Sequence, residues 1–167
     1  MQLQDLNNLS ASQLKPELVK CCGSSAWVEQ MALAFPVTDE KILFKKAEEV
    51  WSSLDERDWL EAFKHHPKIG DINSLKEKFA ATANWASGEQ SSVQQASQQI
   101  IEQLAEGNQQ YEDKFGYIFI VCATGKSAGE MLSILQQRLP NDEKEEIKIA
   151  ASEQAKITKL RLEKLLS

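Results

Sequence analysis

Apolar residues recur at three- and four-residue intervals along most of the chain, and short Pro, Gly and Ser/Asp breaks divide this pattern into helical blocks. Residues 10–22 form the first block, closed by Gly23, and residues 24–35 the second, ended by Pro36. Asp39 is placed to cap a third helix through Val50 and Trp51, with Ile42, Leu43, Ala47 and Val50 on its inward stripe. Asp55 caps a fourth, which carries Trp59, Leu60 and Phe63 and stops before Pro67, whose ring disfavours helix at His66.

Residues 68–87 are mixed, with a short amphipathic piece around Leu75, Lys76 and Phe79. A Gln- and Ser-rich helix follows over 88–106, with Val93, Ala96, Ile100, Ile101 and Leu104 as its stripe and Gly107-Asn108 as its predicted stop. Residues 117–123 are the one run with β character and, with no second run to pair with, read equally as a buried helical or extended piece. Residues 127–139 read as a helix ending at Pro140, and Asn141 opens a final helix to about Leu166. Acidic residues crowd its first turn and basic residues its last, the order that suits the helix dipole. The expectation is an all-α fold: a single compact domain over 1–167, of about seven to nine helices with a long C-terminal one.

Charge narrows the partners. Nineteen basic against 25 acidic side chains give a net charge of −6, which argues against nucleic acid. Cys21, Cys22 and Cys122 form neither a disulfide framework nor a zinc-ligand spacing, so no metal is expected. The N-terminus lacks a basic start and an apolar run, and the longest apolar stretch falls far short of the roughly 20 residues that span a bilayer. The expectation is a cytoplasmic protein with no membrane partner.

Three places can carry chemistry. The only two histidines are adjacent, and neighbouring helical residues point about 100° apart, so they do not share one ligand. His66, at a helix end before Pro67, either caps the last carbonyls or is aimed into a cleft. A helix C-terminus favours its charged form and a proton-donor role. Glu89, in Ser87-Gly88-Glu89-Gln90, is either ordinary first-turn dipole complementation or a carboxylate held where backbone N–H groups also bind an oxygen. Arg161 lies between Ile157 and Leu165 on one face, where it either makes a rim ion pair or serves as the cation of an anion site. Gly125-Lys126-Ser127 is no phosphate loop, because Ile120 stands where that motif needs glycine.

Four stretches stand in order along the chain: His66-Pro67-Lys68-Ile69-Gly70, Ser87-Gly88-Glu89-Gln90, Phe115-Gly116-Tyr117-Ile118-Phe119-Ile120-Val121-Cys122-Ala123, and Lys159-Leu160-Arg161-Leu162. Together they resemble the 2-oxo-4-hydroxy-4-carboxy-5-ureidoimidazoline (OHCU) decarboxylases of urate breakdown. The resemblance implies an all-α homodimer without metal or organic cofactor that forms (S)-allantoin. It implies His66 and Glu89 as catalytic residues, with Pro67, Ala86, Ser87, Gly88, Glu89 and Gln90 around the substrate. Phe119, Ile120, Val121, Cys122 and Ala123 would offer backbone groups, and Arg161 would bind a ligand oxygen. Ala86 departs from the serine frequent in the family at that place. Two further readings stand beside this one: a non-catalytic helical interaction module, and a cofactorless isomerase or hydrolase acting on a related ureido compound.

Overall fold

The computed structural model describes residues 1–67, 72–80 and 90–167. Among these, every regular element is a helix: α1 (Leu3–Asn7), α2 (Ala11–Cys21), α3 (Ser25–Ala34), α4 (Glu40–Ser53), α5 (Glu56–Lys64), α6 (Ile72–Ala80), α7 (Gln90–Phe115), α8 (Ala128–Arg138) and α9 (Glu143–Leu165). The fold class is all-α, with the long C-terminal helix in place. The chain forms two compact units, residues 1–66 with 147–167, and residues 67–146.

In the first unit α2 packs on α3, and α3 on α4 and α5. The expected caps are there: Asp39 accepts the Ile42 N–H at 2.8 Å, and Asp55 accepts those of Arg57 and Asp58 at 3.0 and 3.2 Å. Leu18, Trp27, Met31, Leu43, Phe63 and Leu162 are fully buried, each contributing about 1.5–3 kcal/mol by leaving water. A buried indole still needs a partner for its N–H. Trp27 donates to the Ala47 carbonyl at 3.2 Å, Trp51 to that of Ala151 on α9 at 2.9 Å, and Trp59 to that of Trp51 at 3.1 Å. The tryptophans therefore tie helices together as well as filling space.

Two expectations change here. Ile42 is 46% exposed rather than inward: the buried stripe of α4 is Leu43, Ala47, Val50 and Trp51, and Ile42 lies about 100° off it. Helix α1 was not foreseen, since five residues are too few to show a period. Its buried Leu6 and the paired bonds of the Asn7 amide with Val37, both 2.9 Å, fasten it.

In the second unit α7 packs on both α6 and α8. Helix α7 does not stop at Gly107-Asn108 but runs on to Phe115. A Cβ at Gly107 would stand 2.5 Å from Leu135 Cδ2. The glycine is there to let α8 approach, at a propensity cost of about 1 kcal/mol, and not to end the helix. Residues 117–123 are neither helix nor strand. Side chains satisfy carbonyls that a ladder would otherwise take: Arg138 Nη1 donates to Ile120 O at 2.7 Å, and Lys126 Nζ to Cys122 O at 2.6 Å.

Arg138 is itself buried, with its Nε 3.0 Å from each oxygen of the buried Glu146 carboxylate and its guanidinium carbon 4.6 Å from the centre of the Phe119 ring. Tyr111 Oη donates to Glu146 at 2.8 Å and accepts from Arg138 Nη2 at 3.3 Å. Such a pair is tolerable away from water because nearly every donor and acceptor is matched.

Candidate active site

The site in the first unit starts from the end of α5. Glu61 of α5 binds the opening turn of α3, accepting the Ser25 N–H at 2.5 Å and the Ser25 hydroxyl at 2.9 Å. The helix then closes with the His65 N–H on the Ala62 carbonyl at 3.1 Å and the His66 N–H on that of Phe63 at 3.2 Å. His65 is exposed, and His66 is half-buried. At Gly23 the α2–α3 junction runs so close to α5 that an added Cβ would lie 2.3 Å from His65 Cγ.

Helix α9 brings three side chains one and two turns apart to this place, and two of them contact His66. Gln154, fully buried, bonds His66 Nε2 through Oε1, and donates its own amide to Thr158 Oγ1 at 3.1 Å. Arg161 places Nη2 at 3.5 Å from His66 Nδ1, the long end of hydrogen-bond reach. The positions i, i+4 and i+7 share one helical face, so the sequence itself aligns the three.

The electrostatics correct the expectation of a resting imidazolium. Burial, above all, lowers the His66 pKa below its ordinary value of 6.5; the hydrogen bond to Gln154 opposes this, and the charges of Arg161 and His65 add to it. Cys21 and Cys22 lie close enough to Arg161 to feel its charge, but burial pushes both thiols up to about 11. They are neutral packing groups at neutral pH, not nucleophiles.

His66 and Arg161 are thus brought together. Pro67 opens the second unit and is exposed. Phe119, Ile120, Val121, Cys122 and Ala123 lie in that unit, on the segment held by Arg138 and Lys126. Ala86, Ser87, Gly88 and Glu89 fall outside the described residues, and Gln90 is described only as the first residue of α7. Gln154 and Thr158 escaped the sequence reading. Their signal was there: polar residues at buried positions of the stripe formed by Ile147, Ala150, Ala151 and Leu162. Among the described residues no group of His, Cys, Asp and Glu side chains is arranged to hold a metal, and no helix is long and apolar enough to cross a membrane.

A family model described as OHCU decarboxylase matches residues 7–163. The chain belongs to the OHCU decarboxylase family. Among its relatives, a uric acid degradation bifunctional protein of Arabidopsis thaliana is 40% identical over 150 residues, covering 88% of this chain and 45% of the plant protein. A bifunctional protein of the same description from Bacillus sp. (strain TB-90) is 28% identical, over 99% of this chain and 32% of its own. The chain therefore spans less than half the length of these two curated relatives. A 2-oxo-4-hydroxy-4-carboxy-5-ureidoimidazoline decarboxylase of Haloferax volcanii is 24% identical and is covered over 94% of its length. Among solved structures, an OHCU decarboxylase crystallised in the presence of (S)-allantoin superposes with a TM-score of 0.72 at 39% identity, over 90% of this chain and 96% of that one.

Proposed function

We propose that this member of the OHCU decarboxylase family removes CO₂ from OHCU and protonates the product on one face to give (S)-allantoin, without a metal or organic cofactor. The observation that supports this reading is a half-buried histidine beside an arginine, His66 Nδ1 and Arg161 Nη2 at 3.5 Å, in a chain of that family. The substrate has a carboxylate next to a ring C=N. That imine can accept the electron pair left by departing CO₂, so the substrate supplies its own electron sink. The carbon bearing the ureido group then takes a proton, and its stereochemistry depends on which face receives it.

In this reading Arg161 holds the substrate carboxylate or a neighbouring oxygen. The bound negative charge offsets the guanidinium that depresses His66, which favours proton uptake by the ring. His66 then gives or relays that proton, a role worth about 10²–10⁴-fold for a positioned acid. Glu89 orients the ring N–H or the ureido arm, assisted by residues 86–90 and Pro67, and residues 119–123 offer backbone groups to the heterocycle. We further propose that residues 1–167 act as one decarboxylase domain, as a cytoplasmic homodimer. The direct test is the decay of freshly generated OHCU with and without the protein. Catalysed decay lost in His66→Asn supports the reading, and decay at the spontaneous rate refutes it.

A further inference from the structure

Two side chains of α9 contact the His66 ring from opposite edges, and they make different demands on it. On one edge Gln154 is fully buried: its nitrogen donates to Thr158 Oγ1 at 3.1 Å, and its Oε1 faces His66 Nε2. A carbonyl oxygen only accepts, so Nε2 must carry a hydrogen. On the other edge Arg161 Nη2 only donates, so in the neutral ring Nδ1 is the bare nitrogen. The two neighbours agree on one tautomer. Thr158 is buried in turn.

We infer that Gln154, held by Thr158, is a positioning residue that locks His66 as the Nε2–H tautomer and makes Nδ1, beside Arg161, the nitrogen that takes up and delivers the catalytic proton. This rests on the proposed role of His66 and adds the atom and the device that selects it. The orienting partner of a catalytic or ligating histidine decides which nitrogen is available, a general property of imidazole sites. Arg161 serves two ends here. It discourages a proton on Nδ1 in the empty site, and it draws an anion to the place where that proton becomes favourable. Gln154 works without charge, so it holds the ring in both protonation states.

The experiment is ¹⁵N spectroscopy of the full chain labelled at histidine, which has only two such side chains to resolve. His65→Gln identifies the His66 signals. Above its titration point, wild-type His66 should show a protonated Nε2 and a bare Nδ1. Gln154→Leu should give a tautomer mixture and a still lower titration point, and kcat about tenfold or more down with KM within about twofold. Thr158→Val, a milder change that keeps the glutamine, should move both readouts the same way by less. An Nδ1–H tautomer in the wild type overturns the inference, as does a ring unchanged by Gln154→Leu. If the tautomer responds as expected but Gln154→Leu and His66→Asn both turn over OHCU normally, Gln154 still sets the ring while His66 has no catalytic role. That outcome refutes the functional reading and the proton-delivery half of the inference.

Discussion

Gly23 and His65 are in contact across the first unit, with the glycine Cα so near the imidazole that a Cβ would fall 2.3 Å from Cγ and 2.4 Å from Cβ. The His65 Cβ is fixed by the backbone and cannot swing away without moving α5. His66 follows directly, so the bare glycine fixes where the catalytic candidate stands. Gly23→Ala should cost about 1–3 kcal/mol of stability, as overpacking does, and should lower turnover more than its stability loss explains. Denaturant unfolding and OHCU decay measured on the same preparations check this. An unaltered midpoint and rate would show that the junction yields freely.

The Arg138–Glu146 pair in the second unit holds residues 119–123 through the Ile120 carbonyl. Arg138→Met leaves a buried carboxylate without its cation, which should cost about 3–5 kcal/mol. Tyr111→Phe removes one hydrogen bond to Glu146 and should cost about 1–3 kcal/mol. Urea midpoints at pH 7 give the order, and equal losses would mean that the cluster is not organised around the guanidinium.

His66 gives a pH dependence with a definite sign. Its folded pKa lies below its ordinary 6.5, chiefly through burial. Below pH 6.5 the unfolded chain therefore binds the proton more readily than the folded one. His66 contributes to a loss of stability that begins as pH falls through 6.5 and is complete below the folded value. His66→Asn should flatten the stability profile in that window. In turnover, the substrate anion should raise the pKa of the ring, so the acid-form pKa read from kcat should lie above that read from kcat/KM. Identical values would argue against substrate-assisted protonation.

Cys21 and Cys22, with thiols raised to about 11 by burial, should resist alkylation by iodoacetamide at pH 8 in the folded protein and react on unfolding. Mass spectrometry of labelled peptides reads this directly. Rapid native-state labelling at either cysteine would mean that the region beside Arg161 opens.

Most helices were legible because capping residues and apolar periods agree: Asp39 and Asp55 do in the structure what their positions predict. Gly107 misled because a glycine inside a helix looks the same in sequence whether it ends the helix or admits a neighbour, and only Leu135 decides. Residues 117–123 have strand composition without a strand, since the partner for their carbonyls is Arg138, a side chain distant in sequence. At the site, His66 and Arg161 stood out by type and position. The charge on His66 did not, because burial and the neighbouring guanidinium are products of the fold. Gln154 and Thr158 were visible only as polar interruptions of an apolar stripe.

The central claim is stereospecific decarboxylation by way of His66. Circular dichroism of the product, with OHCU generated in situ from urate by purified upstream enzymes, tests it most directly. Rapid appearance of optically active (S)-allantoin, abolished in His66→Asn with its folded spectrum intact, is the predicted result. Slow racemic product that the protein does not change would contradict the claim.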